Sequence, residues 1–419
     1  DIAEFTVANV PHYVVTAGQH FGDLKVAAKH LTPICQYHID TFDGLPKGVN
    51  KYLFLTMVTD NGFGGLEHLN STALLCSRFD IANERTLADQ QSQFIEDDNY
   101  ITFLSLCSHE YLHTWNVKRL KPREFIPYQL EQEVYTSQLW FYEGMTSYFD
   151  DLSLVHTNTI SDQKFLDIFA KTLTRIQKGK GQLRQSVTES SLHTWTKFYQ
   201  QDEAASDQIT SYYQKGAAIA CLMDLLIKQN SHNQKSLRDL MKQAWDLYGQ
   251  NEIGTTQDLL EDLFKSYIAQ EHHELLHTVL YKNEKIDLAD VFKSVGINLI
   301  YHSQAQQKHL HGASVNSSIN HWLGIITSTE NGLLKVKQVL EDSPAQLSGI
   351  AVNDTLIAIN QLKVDNNNIE KLLPLTQGSN ATIHYFRKDK LYTSDVSLTE
   401  SPKFVAELKV ADELLTNKW

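Results

Sequence analysis

The run Asn99-Tyr100-Ile101-Thr102-Phe103-Leu104-Ser105-Leu106-Cys107-Ser108-His109-Glu110-Tyr111-Leu112-His113-Thr114-Trp115-Asn116 decides how the rest of the chain is read. Asp97 and Asp98 before it are capping candidates and Pro122 lies beyond its end, so a helix is predicted from about Asn99 to Asn116. Helix residues four apart stack on one face, so His109 and His113 can both offer an imidazole to a single cation, with Glu110 next to that face. Neutral imidazole suits Zn²⁺ at about 2.0–2.1 Å, and three protein ligands leave a fourth position for a water whose pKa falls to about 7. A glutamate beside that water can take its proton.

A third ligand is offered by Leu139-Trp140-Phe141-Tyr142-Glu143-Gly144-Met145-Thr146-Ser147-Tyr148-Phe149, in a helix expected from about Val134 to Leu152. It places one acid amid bulky apolar residues, where an unpaired buried carboxylate is costly, so Glu143 needs a cation. The competing explanation pairs Glu143 with Lys118, Arg119 or Lys121. Asp150, about two helical turns after Glu143, can hydrogen-bond a ligand histidine or stand solvated near the helix end. The same five-residue pattern recurs at His273-Glu274-Leu275-Leu276-His277. There Leu275, Leu276 and Leu280 read as a packing stripe, the flanks read as a solvated helix end, and no helix downstream offers an acid in an apolar setting. The second copy is therefore expected to be a decoy.

The chain has 419 residues, more than the usual ~100–200 of one domain, so several cores are expected. A net charge of −13 argues against binding nucleic acid or an anionic membrane by general electrostatics. Cys35, Cys76, Cys107 and Cys221 stand singly among apolar neighbours without Cys-x-x-Cys spacing, and are expected as buried thiols. No stretch approaches the ~20 apolar residues of a membrane span. The start, Asp1-Ile2-Ala3-Glu4, has no signal-peptide layout. A cytoplasmic setting is expected, with periplasmic or secreted settings left open because a targeting segment can have been removed.

From Asp1 to about Asp80 short apolar runs between turn residues predict strands, most clearly Lys51 to Val58. From Ser161 to about Val295 the period is helical throughout and predicts an all-helical layer. Ser303 to Asn320 is polar and rich in His, Gln, Ser and Asn, which reads as a linker. Beyond it, Leu334–Leu340, Thr355–Ile359 and Ala381–Phe386 predict a small β-rich domain. The expected division is 1–155, 156–300 and 301–402, with 403–419 as a tail.

Four segments in this order resemble the glycyl aminopeptidase family of gluzincin zinc metallopeptidases, which carry a PDZ domain after the catalytic region. They are Gly64-Gly65-Leu66-Glu67-His68, His109 to Asn116, Trp140-x-x-Glu143-Gly144, and Ser211-Tyr212-Tyr213-Gln214-Lys215-Gly216. The resemblance covers most of the chain. It implies a multidomain α+β architecture: a thermolysin-like catalytic domain, an all-helical domain completing the cleft, and a β-rich PDZ domain. The cofactor implied is one Zn²⁺ per chain on His109, His113 and Glu143, with Glu110 as the base. Tyr213 would donate to the oxyanion, with Tyr212 as its rival.

Carried over in the same way, Glu67 would hold the free α-amino group of a peptide substrate, and Gly64 and Gly65 would let the peptide backbone approach as a strand. The activity implied is an aminopeptidase removing small N-terminal residues, glycine or alanine. The alternatives are an endopeptidase in which Glu67 is only structural, and a peptide-binding scaffold with an inert metal site. Trp322-Leu323-Gly324-Ile325 resembles the carboxylate-binding loop of a PDZ domain. The backbone N–H groups of Leu323, Gly324 and Ile325 would then cradle a peptide's C-terminus, unless that domain merely packs on the catalytic unit. Two departures from the family pattern are visible. Members usually carry a β-rich domain before the catalytic region, whereas this sequence begins close to the catalytic strands. The spacing from His113 to Glu143 also exceeds the commonest gluzincin pattern, though it fits this family.

Overall fold

A computed structural model describes residues 1–88, 92–303, 321–375 and 378–412. The chain opens with strands β1 (Ile2–Val7) and β2 (Val10–Ala17), helix α1 (Leu24–Thr41), then β3 (Tyr52–Thr59), β4 (Gly64–Glu67) and β5 (Ser71–Ser77). These strands form one sheet in the order β1-β2-β3-β5-β4, with β4 antiparallel to β5 and on the edge. β3 alternates as a half-buried strand should. Tyr52, Phe54, Thr56 and Val58 point into the core, while Leu55 and Met57 are exposed. The sequence pattern predicts only strands before residue 80, and α1 corrects it. Leu24, Ala27, Ala28, Leu31, Ile34, Cys35 and His38 are buried along one helical face, and Pro33 inside that helix breaks the usual sequence signature.

The helices follow: α2 (Glu84–Ala88), α3 (Asp98–Leu112), α4 (Leu139–His156), α5 (Asp162–Lys178), α6 (Val187–Leu192), α7 (Ala205–Gln208), α8 (Tyr212–Asn230), α9 (Leu237–Ala244), α10 (Gln257–Lys265), α11 (His273–Tyr281) and α12 (Ala289–Ser294). Asp97 caps α3 by accepting hydrogen bonds from the N–H groups of Asn99 and Tyr100. α3 and α4 run antiparallel and meet through side chains. Ser105 donates to Asp151 at one end, and Asn116 donates to the Tyr142 carbonyl and to Thr146 beyond the other.

α4 and α8 cross at Gly144 and Gly216. A Cβ on Gly216 would lie 2.7 Å from the Cα of Gly144 and 2.7 Å from the Trp140 carbonyl oxygen. Each glycine follows closely on a residue of interest, Glu143 or Tyr213, so the crossing brings those two side chains to one cleft. Overfilling it with a methyl would cost about 1–3 kcal/mol.

One continuous core runs from the first sheet through the helices to Ala406 and Leu408. The last two residues belong to β13 (Lys403–Val410), which pairs antiparallel with β6 (Ile297–Ser303). β13 also docks on α5, where the Ala406 N–H donates to Thr174 Oγ1 at 2.9 Å. Residues 403–410 are therefore not a tail. Their pairing is with a strand far back in the sequence, which no local pattern announces. Residues 413–419 lie outside the described ones, as does nearly all of the expected linker, 304–320.

Between β6 and β13 the chain forms a second sheet, β12-β11-β9-β8-β7, with the short β10 (Leu362–Lys363) beside β9. Its strands are β7 (Ile325–Glu330), β8 (Leu333–Val339), β9 (Thr355–Ile359), β11 (Asn380–Arg387) and β12 (Lys390–Ser397). It has its own core, including Leu334, Val336, Ile359, Ile383 and Val396. All four cysteines are buried and free. No described helix is long and apolar enough to cross a membrane.

Candidate active site

α3 carries His109 and Glu110 in its last turn and His113 at its C-cap, while α4 brings Glu143 against them. The ligand-capable atoms of His109, His113 and Glu143 lie within 4.8 Å of one another, the one such group among the described residues. His109 Nδ1 bonds Asp150 Oδ2 at 2.9 Å and His113 Nδ1 bonds the Asn116 carbonyl at 2.6 Å. An ionised carboxylate and a carbonyl only accept, so each Nδ1 carries a proton, and in the neutral form of each ring the Nε2 lone pair is left bare. Both Nε2 atoms face Glu143 Oε2, at 3.3 and 3.4 Å. That oxygen is buried without a hydrogen-bond partner.

With both rings neutral, these are three electron-rich atoms aimed at one buried point, which repel unless a cation sits among them. The two spacings also match the edge of a tetrahedron, about 3.3–3.4 Å for ligands about 2.0–2.1 Å from a zinc ion. The donor set thus fits a metal ion. The competing explanation for Glu143 fails on contacts: Lys118 pairs with Glu67 at 3.6 Å, Arg119 donates to the carbonyls of Thr114 and Leu69, and Lys121 pairs with Glu252 at 2.9 Å.

Glu110 is buried, and Thr72 Oγ1 donates to its Oε2 at 3.3 Å. Burial pushes its carboxyl pKa up, with the imidazoles of His113 and His109 pulling the other way. Gly65 on β4 lies directly against it, and a Cβ there would overlap the Glu110 carboxylate, whereas Gly64 meets open space. Alternation along β4 puts Glu67 on the same face as Gly65. The His68 ring bonds the Leu66 carbonyl, at 3.1 Å.

From the far side α8 presents Tyr213, whose ring centroid is 6.4 Å from that of His109. Tyr212 is fully buried with its hydroxyl bonded to Thr194 Oγ1 at 2.8 Å, so the two adjacent tyrosines have different surroundings. Asn116 belongs to the site without having been singled out by residue type: its carbonyl fixes the His113 tautomer, and its side-chain amide pins the turn to α4. Its position three residues after a histidine was the available signal.

The second copy of the motif is built differently. His273 Nε2 bonds the Lys265 carbonyl at 3.2 Å, Glu274 pairs with Lys282, and His277 lies against the ring of Tyr281. In the small domain Leu323 is buried and Gly324 has φ +80°, a value that favours glycine. The carbonyls of Leu323 and Gly324 accept from the N–H groups of Ala345 and Leu340. Ile325 opens the edge strand β7.

A family model described as M61 glycyl aminopeptidase matches residues 102–219, spanning α3, α4 and the start of α8. A crystal structure of an aminopeptidase N family protein from Idiomarina loihiensis is 39% identical with a TM-score of 0.92, over 99% of this chain and 70% of that one. An M1 zinc metallopeptidase from Deinococcus radiodurans aligns loosely, at 12% identity and a TM-score of 0.42, over 68% of this chain and 52% of that one. No curated protein shows a significant match. The chain is a peptidase of mixed helix-and-sheet, multidomain build. It belongs to the M61 glycyl aminopeptidase family.

Proposed function

We propose that this chain is a zinc-dependent aminopeptidase of the gluzincin type, removing small N-terminal residues, glycine or alanine, from peptides. A single zinc ion on His109, His113 and Glu143 would polarise the scissile carbonyl and acidify the attacking water. Glu110 takes the water's proton and passes it to the leaving amine. Tyr213 donates a hydrogen bond to the oxyanion, a role worth about 10²–10³ in rate. Asp150 and the Asn116 carbonyl keep both imidazoles in the ligating tautomer.

The observation that carries the exopeptidase assignment is the position of β4. It is an edge strand, free to accept a peptide as a further strand, and its Gly65 touches Glu110. Glu67 follows two residues on, about 7 Å along the same face. That separation suits an acid holding the terminal ammonium while the adjoining peptide bond lies beside Glu110.

The Lys118–Glu67 ion pair favours a second reading, in which Glu67 is structural and the enzyme is an endopeptidase. Turnover of a free peptide and its N-acetylated form separates the two: an aminopeptidase loses nearly all activity on the blocked peptide, and an endopeptidase keeps it. We assign the 321–399 region as a PDZ domain, on its strand order, the edge strand β7 and the Gly324 turn. Its Leu323, Gly324 and Ile325 loop would receive a C-terminal peptide carboxylate.

A further inference from the structure

Beside the catalytic cleft lies a cavity of about 260 Å³ among α5, α7 and the first turn of α8. Its lining includes two cations, Arg175 and Lys215, and no Asp or Glu. Lys215 is 1% exposed and Arg175 is exposed, so the cavity runs from the surface to a deep ammonium.

The hydrogen-bond inventory on its walls is unbalanced. Lys215 Nζ has three protons and donates one, to the Glu284 carbonyl at 3.1 Å. Ser211 Oγ accepts from the Gln214 N–H, and Ser206 Oγ accepts from the Gln338 amide, which leaves both hydroxyl protons to give. Arg175 has no hydrogen-bond or ion-pair partner among the described residues. Burial pushes the Lys215 ammonium down to about 8, with the Glu284 carboxylate pulling the other way, so its pKa stays above neutral pH. A buried cation with spare donors, in a cavity whose lining holds no acid, is stabilised by a ligand that brings negative charge and acceptor oxygens.

We propose that this cavity binds a small carboxylate, with Lys215 at its base and Arg175 at its mouth. Phe198 forms part of its wall and stacks 5.7 Å from the Tyr213 ring, so the pocket is one aromatic ring away from the proposed oxyanion donor. Peptide hydrolysis releases a new carboxylate and acts on chains that end in one, and to that extent the proposal rests on the peptidase reading. The carboxylate has two possible sources, a released amino acid or the C-terminus of a peptide.

Isothermal titration of the purified full chain tests it, with glycine, N-acetyl-diglycine and the neutral N-acetyl-diglycinamide as probes and zinc content measured in parallel. The expected result is saturable binding of a carboxylate probe and none of the amide. Arg175→Gln and Lys215→Met should each weaken that binding at least about tenfold with zinc content unchanged. Glycine alone binding points to a released amino acid, and N-acetyl-diglycine alone to a peptide C-terminus. Equal binding of the amide, no saturable binding, or full affinity in Arg175→Gln overturns the proposal. Arg175 is exposed, so its variant keeps the test valid if Lys215→Met does not fold. Loss of zinc from the wild-type chain would count against the peptidase reading and leave the cavity result standing.

Discussion

α3 and α11 carry the same pattern, two histidines four residues apart with a glutamate after the first, and only α3 assembles a site from it. On α3 each imidazole is held at Nδ1, by Asp150 or the Asn116 carbonyl, so that both Nε2 atoms meet Glu143. On α11 the first ring spends Nε2 on a backbone carbonyl and the second packs on Tyr281. The difference teaches that five residues supply only the chance of a shared face. What makes a site is a second helix carrying a buried acid, and partners that leave the right nitrogen bare.

The comparison is broken most severely by removing the proton acceptor. Glu110→Gln is expected to lower kcat about 10²–10⁴-fold while retaining the metal, as steady-state kinetics beside elemental analysis would record. Retention of full activity would remove Glu110 from the mechanism. Next comes Gly65→Ala, which puts a methyl where the Glu110 carboxylate lies. A displacement of about 1 Å there should cost about 10² in kcat, with Gly64→Ala, facing open space, far milder. Asp150→Asn sharpens the contrast in tautomer control: it should weaken metal affinity about 10–100-fold in a chelator competition. The smallest effect is expected on α11, where His277→Ala should shift stability by no more than about 0.5 kcal/mol in a denaturant titration.

The sequence made some of this legible and hid the rest for physical reasons. His109, His113 and Glu143 could be named because side-chain chemistry and spacing act locally: a helix sets the distance between two imidazoles, and a lone acid among aromatic residues advertises its need of a cation. Tyr213 and Glu67 came only through resemblance, since nothing in their own spacing points to the cleft. The Asn116 carbonyl was hidden because every residue has one. Gly65 was expected to admit a peptide backbone, and its contact with Glu110 depends on how β4 meets α3 in space. α1 was obscured by Pro33, and β13 by a pairing with β6 that is distant in sequence.

The most direct test of the central claim is zinc content by mass spectrometry on the purified chain and on two double variants, His109→Ala/His113→Ala and His273→Ala/His277→Ala. The account predicts about one zinc per chain in the parent and in the α11 variant, and none in the α3 variant. Zinc that survives loss of His109 and His113, or disappears with His273 and His277, would contradict it.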